Sequence, residues 1–304
     1  MNPLKKSDKS PSVIVFGGSG FLGSHVADAL TAAGYQVRIF DLKRSEYLQP
    51  DQEMILGDIL DAAAVEKAVQ GCDYVYNFAG IADLDDATTK PMDTIQLNIA
   101  GNNNIMNAAV TTKVKRFIYA STIYVYSERG GFYRCSKQAS ELYLEEYQRQ
   151  YGLDFTILRY STLYGPRADD RNAIHRYLKQ AITSGSIQCV GGGEEVRDYV
   201  HVRDAARLSA DILDEKYKNK HVIISGNHPV KYREMLMMIK EILGGDIKID
   251  FSTLDYSNHY NYTPYSFTPK IAHKLTNHLY LDMGQGLLEC VHQIHNEMVA
   301  KDPR

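Results

Sequence analysis

The stretch "FGGSGFLGSH", Phe16–His25, holds glycines at positions 17, 18, 20 and 23, of which 17, 20 and 23 have the spacing of a dinucleotide-binding loop. It follows "SVIVF" (12–16), an apolar, β-branched run typical of a buried parallel strand, and it leads into a helical pattern that ends at Gly34. Without Cβ atoms, Gly17, Gly20 and Gly23 allow a tight turn and a close approach to phosphate, and the helix start adds free N–H groups. This strand–loop–helix unit predicts a dinucleotide site, although glycines needed only for packing remain the alternative.

The following segments continue the alternation of strands and helices. Strand patterns occupy 35–41, 53–58, 72–80, 116–122 and 154–160, and helix patterns occupy 61–71, 93–110 and 133–152. Such alternation predicts an α/β fold, a Rossmann-type doubly wound parallel sheet. After about Leu163 the pattern loosens into loops rich in Gly, Pro, Asn and Tyr between short helices. We therefore expect a smaller C-terminal α/β substrate-binding lobe.

These patterns also predict the domain organisation. Residues 1–11 are expected to be a disordered tail and 12–165 an NAD-binding Rossmann domain, joined by some later segments. Residues 166–304 are expected to form mainly the substrate-binding lobe.

Composition excludes several classes of protein. A formal net charge of −3 gives no basic field for nucleic acid or an anionic membrane. No apolar run is long enough to span a bilayer, and the start "MNPLKKSDKSPS" is unlike a signal peptide. The four cysteines are widely spaced and the ten histidines show no metal-ligand spacing. We expect a cytoplasmic protein with free thiols and no metal.

Two carboxylates follow the second and third strands. Asp41 lies about 20 residues after the glycine loop, where a carboxylate accepts hydrogen bonds from the adenosine ribose and repels a 2′-phosphate. This favours NAD over NADP, and nearby Arg44 is interpreted as a surface charge. Asp58 is placed to accept a hydrogen bond from the adenine amino group. Alternatively, it caps the helix that is predicted to begin at Asp61.

Together the motifs resemble the extended short-chain dehydrogenase/reductase family, in its nucleotide-sugar epimerase and dehydratase branch. The likeness extends over roughly 12–215, and the matching pieces appear in the family's order. They are "GGSGFLGSH", Asp41, "GDI" (57–59), "NFAG" (77–80), "LNIAGNNN" (97–104), "RFIYAST" (116–122), "YRCSK" (133–137), "LRYSTLYGPR" (158–167) and "EEVRDYVHVRDAA" (194–206).

The resemblance implies roles for particular residues. Thr122, Tyr133 and Lys137 would be catalytic, and Thr122 would also contact substrate, while Arg197 and Asn172 would lie at the sugar nucleotide's diphosphate. NAD contacts, beyond the three loop glycines and Asp41, would come from Phe21, Leu22, Asp58, Ile59, Phe78, Ala79, Asn98, Tyr133 and Lys137. A homodimer, formed through helices at 94–110 and 133–151, is expected on the same ground.

The Tyr133–Lys137 pair also has a physical interpretation. Residues i and i+4 share one helix face, so the ammonium group lies one turn from the phenol. A nearby cation favours phenolate and lowers the pKa of tyrosine, and the positive nicotinamide ring adds to this. The phenol would then take a proton from a sugar hydroxyl while hydride leaves the carbon. Alternatively, Tyr133 only begins a helix and Lys137 is a surface charge.

Three positions depart from the family pattern. Dehydratases of this branch carry Asp or Glu after the Ser/Thr, whereas here the order is Thr122-Ile123-Tyr124, which demotes 4,6-dehydration. Thr162 stands where an asparagine usually helps to bind the diphosphate. The usual second arginine of the C-terminal lobe is missing, and His259 is a weak candidate to replace it. In addition, only ten residues separate Thr122 from Tyr133, which suggests an open sugar site.

The sequence thus predicts an NAD-dependent enzyme that acts at C4 of a nucleotide-linked sugar, most simply a 4-epimerase. A net dehydrogenase or 4-keto-sugar reductase on the same kind of substrate is the main alternative. A non-catalytic NAD-binding sensor or scaffold is the alternative from another class, although all three catalytic side chains are present. The nucleotide base and the sugar stay open.

Overall fold

The computed structural model describes residues 10–252, 259–264, 273–276 and 280–301. Nearly all of the expected N-terminal tail lies outside these residues. Thirteen strands are found in the described residues, and their bounds are β1 Ser12–Phe16, β2 Gln36–Asp41, β3 Gln52–Leu56, β4 Tyr74–Asn77, β5 Arg116–Thr122, β6 Phe155–Tyr160, β7 Thr162–Tyr164, β8 Ser186–Val190, β9 Val196–His201, β10 Lys220–Ile224, β11 Pro229–Lys231, β12 Lys248–Ser252 and β13 His273–Leu275.

The same described residues form ten α-helices, which lie between and after these strands. Their bounds are α1 Phe21–Ala32, α2 Ala62–Val69, α3 Leu84–Thr89, α4 Pro91–Thr94, α5 Asn102–Thr112, α6 Gly131–Tyr151, α7 Ala173–Ser184, α8 Val202–Asp211, α9 Tyr232–Leu243 and α10 Met283–Lys301. A π-helix, Ile95–Gly101, joins α4 to α5, and 3₁₀ turns occupy Ile123–Tyr126 and Glu215–Tyr217. The single helix predicted over 93–110 is therefore interrupted by a π-helical segment.

The main sheet is parallel throughout and has eight strands in the order β13-β10-β6-β5-β4-β1-β2-β3. Side chains of β1 alternate between two buried faces, since Ile14 and Phe16 belong to one core and Val13 and Val15 to another. Helices α2, α5 and α6 contribute to the first core, and α1 and α8 contribute to the second. Burial on both faces explains the continuous apolar runs of these strands. The predicted doubly wound fold is confirmed.

The second part of the molecule is built around smaller sheets. Strand β9 lies between β7 and β11, and β8 pairs with β12. A separate apolar core combines residues of these strands with α7, α9 and α10. The chain also returns to the main sheet, because β10 pairs with β6 and β13 pairs with β10. No helix among the described residues combines the length and apolarity needed to cross a membrane.

Candidate active site

The glycine loop is closed by backbone contacts that leave no room for side chains. Gly17 has φ +74°, and a Cβ there would lie 2.6 Å from the backbone nitrogen of Ala79. A Cβ on Gly23 would lie 2.2 Å from the carbonyl oxygen of Gly17. Helix α1 begins after Gly20 without a side-chain cap, and Phe21 and Leu22 are its first residues. This cradle and uncapped helix start fit a dinucleotide pyrophosphate.

Asp41 lies beside this loop at the end of β2. Its carboxylate accepts hydrogen bonds from the backbone N–H of Ser19 at 3.0 Å and of Lys43 at 3.3 Å. Arg44 is exposed. The carboxylate is thus fixed where the adenosine ribose of a bound dinucleotide is expected.

Asp58 and Asp61 have separate roles. The Asp61 side chain caps α2 by accepting from the N–H groups of its first turn, whereas Asp58 accepts from Leu60 N–H at 2.9 Å. The alternative that Asp58 caps this helix is therefore wrong. Asp58 remains partly exposed, and Ile59 is buried against the π-helix at Gly101.

Asn98 connects the loop after β4 to α6. It lies in the π-helix and is 2% exposed. Its amide nitrogen donates to the Ile81 carbonyl and to Ser136 Oγ, both at 2.9 Å, and its oxygen accepts from Ile81 N–H at 2.7 Å. Both amide protons are used inside the protein, so Asn98 positions these elements rather than offering a free amide to NAD.

Phe78 and Ala79 follow β4 and border the glycine loop. Both are partly exposed, and the Phe78 ring stacks on Tyr76 with centroids 6.2 Å apart. The Ala79 N–H donates to Asn77 Oδ1 at 2.9 Å. Their contact with NAD, expected from the resemblance, stays a prediction.

Thr122, Tyr133 and Lys137 are brought together at the end of β5 and the start of α6. They are 5%, 8% and 6% exposed, which makes the site largely water-free. The hydroxyl groups of Thr122 and Tyr133 are hydrogen-bonded to each other. Lys137 Nζ donates to the Ala120 carbonyl at 2.8 Å and lies 5.8 Å from the centre of the Tyr133 ring. Lys137 is therefore not a surface charge. Tyr133 does lie in the first turn of α6, but it is also buried in this cluster.

Burial sets the protonation of this pair. It raises the pKa of Tyr133 to about 12, although the hydrogen bond from Thr122 opposes the rise. It lowers the pKa of Lys137 to about 8, against the attraction of Glu141. The expected lowering of the Tyr133 pKa by Lys137 is therefore wrong for the protein alone. Burial is the main cause of the rise, and by the pH at which the phenol would ionise Lys137 has already lost its charge.

Arg197 is a buried cation. It is 2% exposed, and its guanidinium lies 4.2 Å from the ring centre of Tyr260 and 5.3 Å from that of Tyr232. Nη1 donates to the Val196 carbonyl at 3.0 Å, while Nη2 has no hydrogen-bond partner in the part of the chain that the structure describes. The alternative of a surface salt bridge is wrong. A buried donor on a cation suits an anionic ligand.

Two other expected diphosphate contacts are engaged within the protein. Thr162, at the start of β7, is hydrogen-bonded to Tyr260. The Asn172 side chain caps α7 by accepting from Ile174 and His175 N–H, and it donates to the Leu163 carbonyl at 2.8 Å. Asn172 thus primarily fixes the start of a helix.

His259 does enter the site, but as a neutral group. Its Nδ1 lies 2.8 Å from the hydroxyl oxygen of Tyr124. Burial, together with the positive charge of Arg197, lowers the pKa of His259 to about 4. At neutral pH it cannot replace a second arginine as a cation.

Sequence reasoning missed the roles of Tyr124, Tyr260 and Glu141. Tyr124 and His259 are 135 residues apart, and no spacing signal connects them. Glu141 is four residues after Lys137, so its helix position could have shown that both share one face. Among the described residues, no group of three His, Cys, Asp or Glu side chains is arranged to hold a metal ion.

Comparison with known proteins gives a consistent set of relatives. The profile of the NAD dependent epimerase/dehydratase family matches residues 13–225. A UDP-N-acetyl-alpha-D-glucosaminuronate decarboxylase of Bacillus cytotoxicus is 30% identical over 265 residues, 78% of this chain and 81% of that protein. A putative UDP-glucose 4-epimerase of Methanocaldococcus jannaschii is 28% identical over 253 residues, 76% of this chain and 82% of that protein. The crystal structure of UDP-glucose 4-epimerase from Thermotoga maritima with UDP-glucose superposes with a TM-score of 0.83 and 26% identity, covering 94% of this chain and 99% of that one.

Proposed function

The chain belongs to the NAD dependent epimerase/dehydratase family, and on this premise we propose that it is a nucleotide-sugar 4-epimerase. It is an enzyme, and NAD is its cofactor. The proposed reaction oxidises C4 of a nucleotide-linked sugar and then reduces the same carbon from the opposite face. The observation that carries the proposal is the buried cluster of Thr122, Tyr133 and Lys137 at the carboxyl edge of the parallel sheet.

NAD, when bound, accepts hydride from C4 and returns it. Because the pKa of Tyr133 is about 12 in the protein alone, its phenol is protonated at neutral pH and its oxygen first accepts the proton of the C4 hydroxyl as a hydrogen bond. Thr122 Oγ1 holds the phenol hydroxyl in line. Lys137 uses one of its three N–H groups on Ala120, which leaves two for a cofactor ribose. Before Tyr133 Oη can take the C4 hydroxyl proton, the phenol must lose its own proton to solvent, and the positive nicotinamide ring of bound NAD⁺ would favour that ionisation. The Tyr133 phenolate would then take the C4 hydroxyl proton during oxidation and return it during reduction.

The first residues after Thr122 support epimerisation over dehydration. Loss of water from a 4-keto sugar needs a base at the neighbouring carbons, and Ile123 and Tyr124 supply no carboxylate. The hydroxyl of Tyr124 is hydrogen-bonded to His259. The pKa of His259 is about 4, so this imidazole is a poor proton acceptor. Oxidation and reduction at C4 need only the three catalytic side chains and NAD.

Decarboxylation is the second candidate, and the similarity to the Bacillus cytotoxicus decarboxylase favours it. If the sugar carries a C6 carboxylate, oxidation at C4 makes a β-keto acid, which loses CO₂ without an added base. The first step is the same as in epimerisation. The two candidates therefore differ in the substrate rather than in the roles of Thr122, Tyr133 and Lys137.

Product analysis separates these reactions. The protein would be incubated with NAD⁺ and UDP-, GDP-, CDP- and dTDP-sugars, including uronic acids, and the products identified by mass spectrometry and NMR while NADH absorbance is followed. Epimerisation changes the sugar with no lasting NADH signal, and decarboxylation lowers the mass by CO₂. A lasting NADH signal would indicate net oxidation instead. No turnover of any sugar, with Tyr133→Phe as the inactive control, would contradict the proposal.

A homodimer is part of the proposed function. Leu142, Tyr143 and Tyr151 are more than half exposed on α6, and Met92 and Ile95 are exposed on the neighbouring α4 and π-helix. Pairing these surfaces between two copies would cover them in a four-helix interface. Light scattering should give twice the chain mass, and Leu142→Glu should reduce it to one chain. A wild-type monomer at micromolar concentration would contradict this assembly.

A further inference from the structure

A row of side chains connects the expected chemical centre to the expected diphosphate site. The ring of Tyr124 lies 6.4 Å from that of Tyr133 and 4.7 Å from that of Tyr260. The Tyr260 ring in turn lies 4.2 Å from the guanidinium of Arg197. If C4 of the sugar lies at Tyr133 and the diphosphate at Arg197, as the proposed function requires, the sugar ring lies along this row.

Tyr124 is held in place at several points. Its backbone N–H donates to Thr122 Oγ1 at 3.2 Å, and its hydroxyl is hydrogen-bonded to His259 at 2.8 Å. A Cβ on Gly130 would lie 2.7 Å from Cδ1 of the Tyr124 ring, so the loop before α6 packs tightly against it. A side chain restrained before the ligand arrives loses little conformational entropy on binding.

Tyr124 is nevertheless accessible, because it is only partly buried. A phenol bonded to an imidazole can still offer either its proton or a lone pair to a second group. Since burial and Arg197 keep His259 uncharged at neutral pH, the pair brings no net charge to the sugar. A neutral pair of this kind matches a sugar hydroxyl and does not match a proton-abstracting base.

We propose that Tyr124 and His259 form a neutral hydrogen-bonding pair that binds a ring hydroxyl other than the one oxidised, and that this contact determines which sugars are accepted. The pair stands beside Thr122, at the position where the dehydratases resembled by this chain carry a carboxylate. His259, from the later part of the chain, orients the phenol, and Tyr124 makes the contact. This inference rests on the proposed function.

The test combines removal of one protein hydroxyl with removal of single substrate hydroxyls, as in a double-mutant cycle. Tyr124→Phe keeps the ring that packs on Tyr260 and removes one oxygen. The kcat/KM values of wild type and variant would be measured for the accepted nucleotide sugar and for its 2-, 3- and 6-deoxy analogues. We expect wild type to discriminate at least tenfold against one analogue, and Tyr124→Phe to lose that discrimination at that position alone. Tyr262→Phe is the matched control, because it removes the hydroxyl of an exposed tyrosine two residues after Tyr260.

His259→Ala provides the second arm. If His259 acts through Tyr124, the single variants and the double variant should all lose kcat/KM by a similar factor. If the two residues contact the sugar independently, the loss in the double variant should equal the product of the two single losses. Should His259→Ala fail to fold, the Tyr124→Phe series still decides the matter. Unchanged discrimination at every position in Tyr124→Phe would overturn the inference while leaving C4 chemistry intact. Failure of every nucleotide sugar to react with wild type would instead reject the proposed function.

Discussion

The carboxylate of Glu141 is buried against the guanidinium of Arg159, with both side chains at most 1% exposed. Two contacts join them, Nη2–Oε2 at 2.5 Å and Nε–Oε1 at 3.0 Å. Ser121 Oγ also donates to Glu141, and Arg159 Nη1 donates to the hydroxyl of Tyr126. Because Ser121 precedes Thr122 on β5, this network holds the catalytic helix α6 to the strand that ends at the active site.

Replacing Glu141 by Gln should cost about 3 kcal/mol of the free energy of unfolding, because Arg159 would keep its charge in a dry site without a counter-ion. Urea denaturation measures this loss. Glu141 also raises the pKa of Lys137, so the high-pH limb of the kcat/KM profile should move to lower pH in the variant. Glu145→Gln, which changes a partly exposed residue one turn further along α6, is the control. Equal stability of the two variants would contradict this account.

Lys137→Met should abolish turnover yet stabilise the fold at neutral pH. Burial lowers the pKa of Lys137 from 10.5 to about 8, so between these values the unfolded chain binds more protons than the folded one. This group therefore opposes folding at pH 7 and ceases to do so as the pH rises from 8 to 10.5. After subtraction of the lost hydrogen bond to Ala120, the gain is about 2 kcal/mol. Thermal melts at pH 7 and pH 10 should show the gain only at pH 7.

Tyr133→Phe should reduce turnover by a factor of about 10² to 10⁴, because it removes the group that transfers the C4 hydroxyl proton. Phenylalanine keeps the ring that fills this buried position, where Tyr133 is 8% exposed, so NAD affinity and folding should change little. Tyr143→Phe, on the exposed side of the same helix, should behave as wild type. Calorimetric titration gives the NAD affinity, and steady-state kinetics give the turnover rate. Retained turnover in Tyr133→Phe would remove the central role assigned to this residue.

Asp41→Asn should weaken the selection of NAD over NADP. The amide oxygen can still accept from Ser19 N–H, but the negative charge that repels a 2′-phosphate is lost. An affinity for NADP improved by about tenfold corresponds to about 1.4 kcal/mol of removed repulsion. Fluorescence titration with both cofactors measures the ratio. Asp61→Asn, which alters the cap of α2, should leave that ratio unchanged.

Gly23→Ala should prevent NAD binding at micromolar concentration, since the new Cβ would lie 2.2 Å from the Gly17 carbonyl oxygen and would force the loop apart. The strain should also cost about 1–3 kcal/mol of folding stability. Gly245→Ala is the matched control, because no atom lies within 4 Å of a Cβ there. Normal NAD binding by Gly23→Ala would show that the cradle does not hold the pyrophosphate.

Local patterns in the sequence were sufficient for the parallel sheet and for placing Tyr133 and Lys137 on one helix face, whereas Thr122 was added to this pair by the family resemblance. Strand periodicity and the glycine spacing act over a few residues, so they can be recognised before folding. The pKa values of Tyr133 and Lys137 could not be predicted in the same way, because they depend on how much water the whole fold excludes. The short loop after Thr122 suggests an open sugar site. The contact of Tyr260 with Tyr124 could not be predicted from any local pattern, because the two residues are far apart in the sequence.

The interruption within 93–110 is a second feature that local patterns did not predict. Asparagines in this segment were compatible with a helix, and most of it is helical. Within the π-helical segment, Asn98 donates to both Ile81 and Ser136, which are distant in sequence. Propensity cannot reveal such contacts, since the partners are fixed by tertiary structure.

Strand β10 lies between β6 and β13 in the main sheet, although it is formed after the chain has already begun the smaller lobe. Truncating the chain at a single point therefore cannot give a complete dinucleotide-binding domain. A protein shortened to end near residue 215 would present the backbone of β6 as an open, apolar edge, which invites fibril-like association. Recombination that exchanges sugar-binding regions between relatives would have to replace several separate pieces of the coding sequence while sparing the one that encodes β10.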